Sequence, residues 1–145
     1  MTLDDRVTQF ADTLIALRRL QDEADIAFLD SLGGLSLQQL NILNIVGDRE
    51  PCTMSEIAKQ AHLSLSSITS VVDKMVKAKL MDRYRSEDDR RIVYAKLSQE
   101  GKRIYEIQIQ HVHAVVRKLL QALNLEEQDS LIQIIQKFVR GAVTA

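Results

Sequence analysis

The sequence predicts a mainly α fold with one small β-hairpin. Three observations predict it. Apolar residues recur at helical spacing over most of the chain, and a capping residue opens each run. Only two short stretches break that pattern, and the second of them alternates apolar and polar residues as a strand does. Pro occurs once and Gly five times in 145 residues, too few turn formers for a many-stranded sandwich or barrel. With 46% hydrophobic and 27% charged residues, the chain has the composition of one globular domain.

The elements follow in order. Thr2-Leu-Asp-Asp5 reads as a capping box, in which the first side chain accepts from the third helical amide and the last returns to the cap amide. It opens a long helix on which Val7, Phe10, Leu14, Leu17, Ala24 and Phe28 recur, and which ends near Leu32 before Gly33-Gly34. Ser36-Leu-Gln-Gln39 opens a second helix, carrying Leu40, Leu43 and Val46 and ending at Gly47. Thr53-Met-Ser-Glu56 opens a third. Ser64 caps a fourth, with Leu65, Ile68, Val71, Val72, Met75, Val76 and Leu80 as its apolar positions. Met81–Arg85 and Ile92–Leu97 then fit two strands around the charged tip Ser86-Glu-Asp-Asp-Arg-Arg91. Ser98 caps a fifth helix, bearing Ile104, Ile107, Val112, Val115, Val116, Leu119 and Leu123. Asn124-Leu-Glu-Glu127 caps the last, with Leu131, Ile134, Ile135, Phe138 and Val139.

Charge is unevenly placed. Residues 1–52 carry 4 basic and 9 acidic side chains, residues 53–97 carry 9 and 6, and residues 98–145 carry 6 and 5. A net charge of −1 excludes a uniformly polycationic coat for nucleic acid, and the middle segment is where a footprint for a polyanion belongs. Six aromatic residues and no Trp supply little for stacking single-stranded bases. One Cys excludes an intrachain disulfide. Charges break up the first thirty residues, and no apolar run approaches the roughly 20 residues of a membrane span, so a soluble, cytoplasmic chain is expected.

The third and fourth helices, joined by Ala61-His-Leu-Ser64, have the parts of a helix-turn-helix. Ala58 is small enough for the crossing, Leu63 plugs the turn, and Ile57, Ile68, Val71 and Val72 supply the buried side. His62 falls where a left-handed residue is wanted. The other face of the fourth helix then presents Ser64, Ser66, Ser67, Thr69, Ser70, Asp73, Lys74 and Lys77. Short hydroxyl side chains let a helix sit deep in a DNA major groove about 12 Å wide. Lys74 and Lys77 fall where a phosphate backbone would pass. On the hairpin, Arg83 and Arg85 would reach phosphates. Arg90 is assigned to the minor groove with Asp88 holding it, and Arg91 with Asp89 forms a second, more basal pair. The motif is thus a winged helix-turn-helix at residues 36–97, flanked by helical segments 1–32 and 98–145. Its competing use is as a protein-interaction module without sequence-specific DNA binding. No Gly-rich phosphate loop, paired Cys motif or Ser-His-Asp set supports an enzyme, a cofactor or a metal site.

From Leu37 to Gly101 the sequence resembles the MarR family of bacterial regulators. Met54-Ser-Glu-Ile-Ala58, Leu63-Ser64, Ile68-Thr69, Val71-Val-Asp-Lys-Met75, Arg83, Asp88-Asp-Arg-Arg91 and Leu97-Ser-Gln-Glu-Gly101 carry the resemblance. It implies a transcriptional regulator, usually a repressor, that acts as a homodimer on a pseudo-palindromic operator and is often released by a small aromatic or anionic effector. It also implies an effector crevice, near which His62, Arg18, Arg19 and Gln39 are candidates. Two positions depart from the family pattern: Ser70 stands where many members have Arg, and Lys79-Leu80 replaces the common Gly-Leu or Gly-Ile.

The terminal helices carry more apolar surface than a small winged-helix core absorbs. Ile104, Ile107, Val115, Val116, Leu119, Leu123, Ile132, Ile135 and Val139 would be buried against a twin, placing two recognition helices one DNA turn apart. Cys52, just ahead of the third helix, raises the possibility of a thiol activated by the helix N-terminus. His111 and His113 lie two apart on a helix, point in different directions, and do not make a metal pair.

Overall fold

The computed structural model describes residues 1–144, with six helices and three short strands among them. The helices are α1 (Leu3–Ser31), α2 (Leu37–Asp48), α3 (Met54–Ala61), α4 (Leu65–Lys77), α5 (Gln99–Leu120) and α6 (Leu125–Thr144). The strands are β1 (Cys52–Thr53), β2 (Met81–Arg85) and β3 (Val93–Leu97), in the antiparallel order β1-β3-β2. By compactness the chain divides into residues 1–109 and 110–145.

Capping decides where the helices begin. Thr2, Ser36 and Thr53 each form the complete box, with Asp5, Gln39 and Glu56 returning to the cap amide. Asn124 does the same with Glu127. The ends are equally specific. At the end of α3, His62 adopts φ 55° and ψ 40°. Its N–H donates to the Lys59 carbonyl, and Leu63 N–H donates to that of Ala58. At the end of α4, Lys79 takes φ 62°, with Lys79 N–H donating to Val76 and Leu80 N–H to Met75. Both closures are Schellman motifs built without glycine.

Some details differ from the sequence expectation. β1 adds a third strand, pairing Cys52 with Ala95 and Thr53 with Tyr94. Two residues carry too little alternation to read as a strand on their own. Helix α2 continues past Gly47 to Asp48, because nothing at Gly47 requires a left-handed stop.

The core of residues 1–109 joins Leu40, Leu43 and Val46 of α2, Ile57 and Ala58 of α3, and Ile68, Val72 and Met75 of α4. Met81, Ala95 and Leu97 of the sheet and Ile104 of α5 complete it. Ile104, expected among the residues left for a twin, therefore lies in this core. Leu65, the first apolar position of α4, is 53% exposed. Helix α5 starts close against the end of α4. The Ser98 N–H donates to the Leu80 carbonyl at 3.1 Å, and its hydroxyl donates to that of Lys79 at 2.7 Å. A Cβ on Gly101 would fall 2.1 Å from the Leu80 oxygen, so only glycine fits there. One turn along, the Tyr105 ring covers Gly47, and its hydroxyl donates to Asp48 Oδ1 at 2.5 Å.

The first and last helices are strongly exposed. On α1, Val7, Phe10, Leu14, Ile15, Leu17 and Leu20 are open to solvent in the single chain. Helix α6 has no buried residue, and Leu131, Ile132, Ile134, Ile135, Phe138 and Val139 are exposed. No helix among the described residues is long and apolar enough to cross a membrane.

Candidate nucleic-acid interface

The exposed face of α4 begins with a hydroxyl network. Ser64 Oγ accepts from the Ser67 amide at 3.2 Å, which caps the helix, and donates to Ser67 Oγ at 2.8 Å. The Ser66 hydroxyl lies 3.2 Å from the same oxygen. Thr69 Oγ1 donates to the Leu65 carbonyl at 2.8 Å, so what it offers outward is a lone pair and a methyl group. The side chains of Ser70, Lys74 and Lys77 are exposed and make no polar contact among the described residues. Ser66, Ser67 and Ser70 line a shallow hollow of about 430 Å³ with Gln38, Leu63 and Val71.

A larger cleft of about 700 Å³ lies on the other flank of α4, between that helix and the hairpin. Thr69, Arg83, Arg85 and Arg91 line it, together with Leu65 and Thr53. It brings four of the predicted residues to one place from α4, β2 and the hairpin tip. Thr53, Met54 and Ser55 also border it and were not singled out from sequence, where they register only as the start of a helix. Arg83, one of the lining residues, pairs through Nη1 with Asp73 Oδ1, tying β2 to α4. Arg83 was expected at a phosphate, and in the free chain a carboxylate holds it.

The hairpin tip corrects one assignment. No ion pair or hydrogen bond joins Asp88 to Arg90 among the described residues. The carboxylate that holds an arginine is Asp89. Its Oδ1 and Oδ2 accept from Arg91 Nε and Nη2, both at 3.1 Å, and Oδ1 also accepts from the Arg91 backbone N–H. The reason is the turn. Asp89 N–H donates to Ser86 Oγ and Ile92 N–H to the Asp89 carbonyl, which places the Asp89 and Arg91 side chains side by side. Donation from the Arg91 side chain, then from its backbone, keeps the Asp89 carboxyl below the usual carboxylate range. The Arg91 side chain is 91% exposed despite that pairing. Arg85 Nη1 donates to the Arg90 carbonyl at 2.9 Å.

Other candidates scatter. Arg18, Arg19 and His62 are exposed, and the Gln39 amide oxygen is used in the Ser36 box. Neither cleft beside α4 includes any of the four. Cys52 is buried, and its thiol donates to the Arg49 carbonyl at 3.3 Å. Burial, and after it the Glu56 charge, push that thiol above its ordinary pKa, the opposite of activation by a helix N-terminus. His111 is half-buried and His113 exposed, and no group of three or more metal-ligating side chains occurs among the described residues.

Comparison with known proteins fits this geometry. The MarR family model matches residues 35–93, the stretch from the start of α2 to the start of β3. Over that stretch the chain is similar to the MarR family. The curated relative PchR of Bacillus subtilis, an HTH-type transcriptional regulator, is 23% identical over 106 residues, 70% of this chain and 62% of that protein. The HTH-type transcriptional regulator FarR of Neisseria gonorrhoeae is 32% identical over 69 residues, 48% of this chain and 47% of that one. The match thus spans under two thirds of either relative. Among solved structures, a MarR family protein from Bacillus stearothermophilus superposes with a TM-score of 0.88 at 20% identity, covering 99% of each chain. Streptococcus pneumoniae FabT, solved in complex with DNA, gives 0.77 at 18% identity over 97% of each chain. These two likenesses show that the chain shares their fold across almost its whole length.

Proposed function

We propose that the chain is a sequence-specific regulator of transcription that binds double-stranded DNA. The observation that carries this reading is the convergence of Thr69 on α4 with Arg83, Arg85 and Arg91 of the hairpin around one cleft. Helix α4 would enter the major groove through Ser64, Ser66, Ser67, Thr69 and Ser70, with Lys74 and Lys77 on the backbone. In this reading Arg91, held by Asp89, replaces Arg90 as the side chain for the minor groove. A guanidinium already oriented by a carboxylate loses less side-chain freedom on insertion. Arg90 and Asp88 sit beside it at the tip, where Arg90 serves a phosphate.

The same reading includes a homodimer. The exposed apolar residues of α1, and separately those of α6, leave more apolar surface open than a monomer in water ordinarily keeps. A second copy covering them would set two α4 helices about 34 Å apart on a pseudo-palindromic site. Repression by occupying such a site, and release by a small aromatic or anionic effector, complete the proposal and rest on the family resemblance.

Selection of bound duplexes from a random pool tests it. The expected result is one enriched motif with two inverted half-sites roughly 10 base pairs apart. A pool that stays unenriched, with binding equal for all duplexes, would favour the protein-interaction alternative.

A further inference from the structure

Arg85 lies outside the hydroxyl-lined helix and outside the Asp89–Arg91 pair, yet its guanidinium reaches across the hairpin tip. Its Nη1 donates to the Arg90 carbonyl at 2.9 Å, and no carboxylate pairs with it among the described residues. Every other hydrogen bond of the tip is made by groups of residues 86–92. Ser86 N–H donates to the Ile92 carbonyl, Ile92 N–H to that of Asp89, Asp89 N–H to Ser86 Oγ, and the Arg91 N–H to Asp89 Oδ1. Among the described residues, the Arg85 side chain alone ties the tip by a hydrogen bond to the end of β2, which is itself registered on β3 through Val93. The carbonyl it holds belongs to the peptide whose N–H is that of Arg91. Fixing this peptide fixes the direction in which Arg91 leaves the backbone.

We propose that Arg85 is a positioning residue for the hairpin tip: its guanidinium holds the Arg90 carbonyl and so aims Arg91, rather than contacting a phosphate itself. This rests on the DNA-binding reading above and replaces the phosphate role that sequence alone suggested for Arg85. The two roles differ physically. A phosphate contact releases a counterion and acts independently of Arg91, whereas a positioning contact acts through Arg91 and releases none.

The experiment combines Arg85→Ala, Arg91→Ala and the double variant, with affinity for a selected duplex measured over a range of salt. Backbone amide exchange of each free protein is followed in parallel. Arg85→Ala is expected to weaken binding about fivefold with the slope of log K against log salt unchanged. In the Arg91→Ala background the same change should cost less than twofold. In the free protein it should speed exchange at the Arg91 and Ile92 amides and leave Ala95 on β3 protected. A slope reduced by about one and a full fivefold cost in the Arg91→Ala background would make Arg85 a phosphate contact and overturn the proposal. Unaltered exchange at Arg91 and Ile92 would overturn it as well. If the parent binds no duplex, the functional reading fails, and the exchange measurement still decides whether Arg85 orders the tip.

Discussion

Asp73 on α4 and Arg83 on β2 form an ion pair that ties the helix to the hairpin. Their side chains remain 41% and 37% exposed, so solvent screens the pair and its contribution to stability falls in the range of about 0–1 kcal/mol. Its consequence is geometric. The pair fixes how far the hairpin stands from α4, and both must meet the same duplex. Asp73→Asn should therefore leave the melting temperature within a few degrees of the parent. It should weaken duplex binding about fivefold, a loss of roughly 1 kcal/mol. Thermal melts and a binding titration on the same preparations check this. Equal affinity would show that the hairpin needs no such tie.

At the tip, Arg91→Ala should weaken binding to a selected duplex by about 1–3 kcal/mol, and more than Arg90→Ala does. The structural ground is that Asp89 orients Arg91, while no hydrogen bond or ion pair holds the Arg90 side chain among the described residues. A larger loss at Arg90 would restore the assignment made from sequence.

The same pair has a pH dependence. Donors on Arg91 lower the folded-state pKa of Asp89. A lowered carboxylate pKa contributes order that is fully present above the unfolded value, near 3.9, and is lost as pH falls through the folded value. The tip should stay ordered from neutral pH to about pH 4 and loosen below it. Nuclear magnetic resonance of the Arg91 Nε proton against pH follows this directly. In Asp89→Asn that transition should be missing.

Gly101→Ala should destabilise the fold by about 1–3 kcal/mol, because the added methyl meets the Leu80 carbonyl rather than a movable side chain. Gly47→Ala should cost less, since the group in its way is the Tyr105 ring, which can shift. Denaturant unfolding of both variants gives the order. A neutral Gly101→Ala would mean that α5 does not start where the structure places it.

Cys52 should react slowly with a disulfide reagent at pH 8 in the native protein and at the rate of an ordinary thiol once unfolded. Burial and a raised pKa both reduce the exposed thiolate. Rapid native reaction would reopen a redox role.

Much of this fold was legible in the sequence because its signals are local. Thr2, Ser36, Thr53 and Asn124 each announce a helix within four residues, and His62 marks its turn by position alone. What the sequence hid depends on geometry over several residues. Strand β1 exists only because β3 passes beside Cys52 and Thr53. With two acidic and two arginine residues in a row, adjacency cannot say which are partners. The turn at Ser86 and Asp89 decides for Asp89 and Arg91. Asp73 was read as part of the α4 surface, and its partner ten residues along, on a different element, was invisible to helical spacing. Ile104 looked like surplus apolar surface until the approach of α5 to Leu80 drew it into the core.

The central claim is that α4 and the hairpin tip form one surface for duplex DNA. It is tested most directly by measuring affinity for a selected duplex against salt, for the parent and for a variant carrying Lys74→Ala, Lys77→Ala and Arg91→Ala together. The account predicts a steep negative slope for the parent, shallower by about 0.9 for each phosphate contact removed. A parent whose binding ignores salt, or a triple variant that binds as the parent does, would contradict it.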